Sequence, residues 1–264
     1  MIRLAAALML FAFALPVQAE DPKPIKALLV IGGCCHDYVK QKELLTKGVS
    51  GKAYVEWTIA YDPSTKEDSL NPVYEKPDWA KGFDVIVHDE CNAKMKDLAI
   101  IDRILAPHKE GLPSVVLHCG MHSYRSEGYP KKTPWFDFTG LVSTGHGPQA
   151  PIAVTYTDSA SPITKGLENW KTINEELYNN ADGKLHDTAK ALATGKQVTK
   201  NKEGKETTTE TIVAWTNTYN GKTKVFATTL GHNPDTVKDD KYLDLVTRGL
   251  LWSVGKLDTH LKTK

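Results

Sequence analysis

Cysteine is scarce in this sequence, net charge is almost absent, and no apolar run is long enough to cross a bilayer. Four cysteines in 264 residues cannot staple a chain of this length, so its stability must come from a buried apolar core. A formal charge of +1 with no basic block argues against nucleic acid or an anionic membrane surface as a partner. The longest apolar stretch, residues 4–15, falls short of the ~20 residues that a spanning helix needs. There is no short chelating spacing such as H-E-x-x-H, no internal repeat and no composition break that would mark a second domain.

The N-terminus has another purpose. Arg3 precedes the apolar run, and Val17-Gln18-Ala19 follows Pro16 as an A-x-A-like cleavage site. The pattern predicts a signal peptide over residues 1–19 and a secreted or periplasmic protein. No cysteine stands at the cleavage point, which argues against a lipid anchor, and no membrane contact is expected after the signal is removed. The mature chain, residues 20–264, suits a single α/β domain.

Short apolar runs closed by glycine or polar residues predict buried strands over 25–33, 83–90 and 113–119, with a more alternating strand over 53–62. Residues 62–80 hold Pro63, Pro72 and Pro77 and read as a long loop. Leu98, Ile101, Ile104 and Leu105 have helical spacing within 95–111. Strand, helix and strand in alternation predict a parallel sheet flanked by helices, flavodoxin-like in class. The second half predicts strands over 150–158 and 172–179. A β-hairpin extension follows over 211–232 around Asn220-Gly221, then a closing helix over 240–257. The polar stretch 196–210 reads as an exposed hairpin tip or loop.

In a parallel sheet, ligands bind outside the carboxyl ends of the strands. Those ends carry His36, then His88-Asp89-Glu90, then His118 and His122 in "VVLHCGMHSYR", and finally His232. Gly32-Gly33, Gly120 and Gly231 would let backbone approach a ligand there. A shared histidine-rich pocket is the expectation. His108, His186 and His260 are read as structural, and Trp79, Trp135 and Trp170 as loop residues.

The ordered pieces "GGCCHDY", "FDVIVHDE", "VVLHCGMHSYR", "TGHG", "SPITKGL", "EELYN" and "VFATTLGHN" resemble the ThuA-like family, named for trehalose utilisation. The resemblance implies the class I glutamine amidotransferase-like fold. In true amidotransferases a Gly-x-Cys-x-Gly elbow presents the nucleophile. Aligning Gly120 with the last glycine puts His118 at that position, with His232 as the later histidine and Asp235 one residue out of register as its acid. Without a thiolate at the tip, glutaminase activity is not expected unless Cys119 has shifted into place.

Two chemistries remain open for the pocket. His36, His118 and His232, with Glu176 or His146, could hold a divalent metal such as zinc. Alternatively, His118, His232 and Glu176 could act as acid–base catalysts on a sugar. His122, Arg125, Trp135, Tyr178 and Asn233 are the candidate substrate-binding residues; Arg125 suits an oxygen-rich ligand and Trp135 a sugar ring. With the predicted signal peptide, the resemblance thus implies that the exported protein is carbohydrate-active, processing a disaccharide or keto-sugar as a hydrolase or lyase. The competing reading is a non-catalytic sugar- or metal-binding protein. In the fold implied, the first and third strands are neighbours and the fourth lies beside the third. A Cys34–Cys91 or Cys35–Cys91 bridge is then within reach, free thiols being the alternative.

Overall fold

The computed structural model describes residues 21–262; the predicted signal peptide lies outside them. In chain order the elements are β1 (Ile25–Gly33), α1 (Tyr38–Lys52), β2 (Val55–Asp62), β3 (Val85–Cys91), α2 (Leu98–Lys109), β4 (Ser114–Leu117) and α3 (Pro134–Thr139). They continue with β5 (Ala150–Tyr156), β6 (Trp170–Glu175), β7 (Ala189–Lys200), β8 (Glu206–Tyr219), β9 (Thr223–Thr228), α4 (Pro234–Val237), α5 (Asp240–Ser253) and α6 (Leu257–His260).

All nine strands join one sheet in the order β2-β1-β3-β4-β9-β8-β7-β5-β6. The first five run parallel. The other four are antiparallel to their neighbours, so the expected hairpin extension is a four-stranded antiparallel half. The long apolar runs of β1 and β3 follow from cover on both faces. On one face Ala27, Leu29 and Val87 pack with Leu45 and Val49 of α1 and Leu250 of α5. On the other, Leu28, Val30 and Ile86 meet Ile101 and Ile104 of α2 and Trp135 and Phe138 of α3.

Three elements differ from the sequence pattern. Helix α1 has no counterpart in the predicted elements, because its buried face mixes Tyr38, Leu45 and Val49 with polar Gln41 and Thr46. The stretch 196–210 is mostly strand: β7 and β8 run on as a long hairpin whose tip is only residues 201–205. The outer β8 residues Thr207–Glu210 are exposed, which explains the polar composition. The predicted strand 172–179 stops at Glu175, and the chain beyond it enters the site as a loop.

Candidate functional site

The site is built on the turn after β4. His118 sits in the left-handed region with φ +38°, a strained conformation for a non-glycine residue. Gly120 follows because a Cβ there would lie 2.8 Å from the His88 carbonyl oxygen of β3. The turn lies against its neighbouring strand and lifts the His118 ring. His118 Nδ1 is 2.6 Å from the Thr229 carbonyl oxygen. A carbonyl only accepts, so Nδ1 carries a proton and Nε2 is the ring nitrogen turned toward the site. Nε2 faces the Tyr178 hydroxyl at 3.2 Å and Glu176 Oε2 at 3.6 Å.

Two further imidazoles close on it. The His36 ring centroid lies 4.7 Å from that of His118 and 4.8 Å from that of His232, and His118 and His232 are 5.4 Å apart. The candidate ligand atoms of the three all fall within 4.8 Å of one another. His36 Nδ1 is buried without a hydrogen-bond partner. Burial first, then the neighbouring His118 and His232, lower the His36 pKa to about 2. His36 is therefore neutral, with a lone pair available.

His232 is held by its backbone. Glu175 accepts from the amides of His232 (3.0 Å) and Asn233 (3.1 Å) through its two oxygens. Gln41 of α1 donates to the carbonyls of Gly231 (3.0 Å) and His232 (2.9 Å). The ring then places Nδ1 3.2 Å from Glu176 Oε2 and Nε2 2.7 Å from the Gln149 side-chain amide. Burial would lower the His232 pKa, but Glu176 and then Glu175 outweigh it and raise it. Reciprocally, burial pushes the Glu176 carboxyl up, but His118 and His232 hold it well below the usual carboxylate range.

Around this centre lies a cavity of about 390 Å³, lined among others by Cys35, His36, Cys119, His122, Arg125, His146, Glu176, Tyr178 and His232. His146 is exposed, with Nε2 3.5 Å from Glu176 Oε2 and Nδ1 2.9 Å from the Gly147 carbonyl oxygen. The His122 ring stacks flat on Tyr178 at 3.9 Å, and its Nε2 meets Ser143 Oγ at 2.8 Å. The Arg125 guanidinium lies 5.1 Å from the Tyr129 ring centroid, and its Nε is buried without a partner. A larger cavity of about 910 Å³ between α1 and α5 is lined by no histidine or cysteine.

Other candidates lie elsewhere. Trp135 is fully buried and donates Nε1–H to the Gly120 carbonyl (2.7 Å). It supports the turn from beneath and offers no face to a sugar. Asn233 uses its side chain to donate to the Asn174 carbonyl (2.6 Å) and does not line the cavity. Asp235 pairs with Lys238 at 2.6 Å, so Glu176, and not Asp235, is the acid of His232. His88 points to the opposite face of the sheet. Its Nδ1 lies 2.9 Å from Glu90 Oε1, which also accepts from Tyr74 (2.7 Å) and Tyr124 (2.8 Å). His88 Nε2 meets His108 Nε2 at 3.0 Å. The cysteines pair as Cys34–Cys35 and Cys91–Cys119, with none free among the described residues. Cys34 is indeed close to Cys91, but is bonded to its own neighbour.

Gln41, Gln149, Thr229 and the anchoring role of Glu175 had no sequence signal. Glu175 sits at the end of β6, where alternation sends consecutive side chains to opposite sides. That turns Glu176 alone toward the cavity.

The family described as ThuA, trehalose utilisation, matches residues 33–253, and the chain belongs to it. A ThuA-like protein of Parabacteroides merdae has a crystal structure similar to this one. Its TM-score is 0.64 at 18% identity, over 91% of this chain and 98% of that one. A second, from Bacteroides uniformis, gives 0.61 at 17% identity over 92% and 96%. The β-galactosidase Gan42B, of glycoside hydrolase family 42, gives 0.51 at 8% identity over 88% of this chain but 30% of that enzyme. At these identities the likeness concerns the fold. No curated protein matches the chain.

Proposed function

We propose that this protein is an exported carbohydrate-active enzyme whose cavity binds a divalent metal, such as zinc, through His36, His118 and His232 with Glu176. The observation that supports this is the meeting of the His36, His118 and His232 imidazoles, their candidate ligand atoms within 4.8 Å of one another, with Glu176 Oε2 against two of them and His118 Nδ1 committed to the Thr229 carbonyl. Zinc takes such nitrogen and oxygen donors at ~2.0–2.2 Å and keeps one position open in catalytic sites. The Thr229 carbonyl on His118 Nδ1 is the outer partner that a ligating histidine normally has. The buried, unpartnered Nδ1 of His36 gains a partner when a cation binds.

When bound, the metal supplies Lewis-acid polarisation of a ligand oxygen. The chain's own residues do the rest. Tyr178, beside His118, and His146, facing Glu176, can move a proton in the cavity. Arg125 and His122 line the cavity, and Arg125 can orient a hydroxyl-rich ligand. The cavity is at the small end of the ~300–1,000 Å³ range of ligand pockets, which suits a mono- or disaccharide. The sugar assignment is supported by the family's trehalose association.

The test pairs metal analysis of purified protein with a turnover screen of disaccharides and their keto derivatives. One equivalent of metal with turnover supports the reading. Metal without turnover leaves a metal-binding protein, and neither leaves a sugar-binding domain at most.

A further inference from the structure

The four sulfurs form a row across the carboxyl ends of three adjacent strands. Gly33 of β1 pairs with Cys91 of β3, and the next residue, Cys34, donates its amide to the Cys91 carbonyl at 3.3 Å. The two disulfides therefore abut: Cys34 Sγ lies 3.5 Å from Cys91 Sγ. Their accessibility is uneven. Cys35 is exposed, while Cys34, Cys91 and Cys119 are 5%, 4% and 5% exposed. Cys119 lies at the other end of the row, on the cavity beside His36.

We infer that the two disulfides form a thiol-exchange relay, in which a low-molecular-weight thiol reacting at Cys35 releases a free thiol at Cys119 on the cavity floor. In the first step the incoming thiolate attacks Cys35 Sγ. A bond to Cys35 forms, the Cys34–Cys35 bond breaks, and the electron pair leaves on Cys34. That thiolate is buried, which disfavours its charge, and its nearest exchange partner is held at 3.5 Å. In the second step Cys34 attacks Cys91 Sγ. The Cys34–Cys91 bond forms, the Cys91–Cys119 bond breaks, and Cys119 leaves as the thiolate and takes a proton from the cavity. One thiolate enters and one leaves, and two disulfides are present before and after, so the exchange needs no separate oxidant or reductant.

The order of the row fixes the direction. Only Cys35 is open to a bulky thiol, and Cys34 is the sulfur that faces Cys91. The relay places a sulfur donor within ligand distance of His36, so a thiol reacting at the exposed Cys35 changes the donor set of the cavity. This inference shares the cavity with the proposed metal site but does not rest on it.

The experiment treats the oxidised, full-length mature protein with one equivalent of glutathione in the presence of a chelator. The mixture is quenched in acid, alkylated and mapped without reduction. The relay predicts glutathione on Cys35, a Cys34–Cys91 bridge and a single alkylated residue, Cys119. An alkylated Cys34 with Cys91–Cys119 intact would show two independent bridges and overturn the proposal, as would the absence of any adduct on Cys35. In the Cys34→Ala variant Cys119 should stay unalkylated after the same treatment; alkylation there would mean direct attack on the second bridge and would also refute the relay. No readout contains a metal, so failure here is separable from failure of the metal site.

Discussion

Glu175 and Glu176 are adjacent, chemically identical and differently employed. Glu175 is fully buried and binds two backbone amides of the His232 loop, whereas Glu176 faces His118, His146 and His232. Removing the Glu175 carboxylate leaves two amides without their charged acceptor, each such bond being worth ~1.5–3 kcal/mol. Glu175→Ala should therefore cost about 3 kcal/mol or more in chemical denaturation and displace His232. Glu176→Gln keeps the shape but loses the ion pairs to His118 and His232; it should cost less stability than Glu175→Ala while weakening metal binding at least ~10-fold, as read by titration with a competing chelator. Equal destabilisation by the two would contradict the division. His118→Ala should lower the metal stoichiometry from one to near zero with the melting transition intact; an unfolded variant would make His118 a structural residue. A distant histidine predicts a pH effect. Burial, then His88, lower the His108 pKa from 6.5 to about 3. Below pH 6.5 the unfolded chain binds a proton there that the folded chain does not, so stability falls with pH, by up to about 1.4 kcal/mol per unit from this residue down to about pH 3. In His108→Gln the pH dependence of unfolding should be shallower by that amount.

At the scale of elements, the turn after β4 carries the site. Gly120→Ala would set a Cβ against the His88 carbonyl, and the turn would have to move. A cost of ~1–3 kcal/mol with loss of metal is expected, measured on the same sample by denaturation and metal analysis. Strands β1, β3 and β4 are legible in the sequence because double-sided burial makes them continuous apolar runs. Helix α1 is not, because Gln41 on its buried face serves two carbonyls of the His232 loop and interrupts the apolar spacing. Position at a strand end identified His36, His118 and His232 as neighbours in space. It could not separate them from His88, since one residue of pleat decides which side of the sheet a side chain reaches. In β3, His88 and Glu90 turn to the α2 face and Asp89 to the other, and the strand's last histidine is lost to the site. Trp135 was misplaced for a related reason: a bulky residue near the turn packs under it and donates to its backbone.

The whole molecule divides into a parallel half that bears the turn and His36, and an antiparallel half whose β6 loop brings Glu176 and Tyr178 to it. The site therefore depends on both halves of one sheet, while the long β7–β8 hairpin runs past it. Replacing residues 201–205 by a two-residue Asn-Gly turn should change stability by less than about 0.5 kcal/mol and leave metal binding unaltered, because that tip is exposed and makes local contacts. Coupled loss of binding would mean that the hairpin tip reaches the site. The central claim, a metal held by histidines gathered from three strand ends, is tested most directly by anomalous X-ray scattering at the zinc absorption edge, on crystals of the mature protein grown with equimolar zinc. The account predicts one strong peak within bonding distance of His36, His118 and His232; a cavity without a peak, or zinc bound only at surface residues, would contradict it.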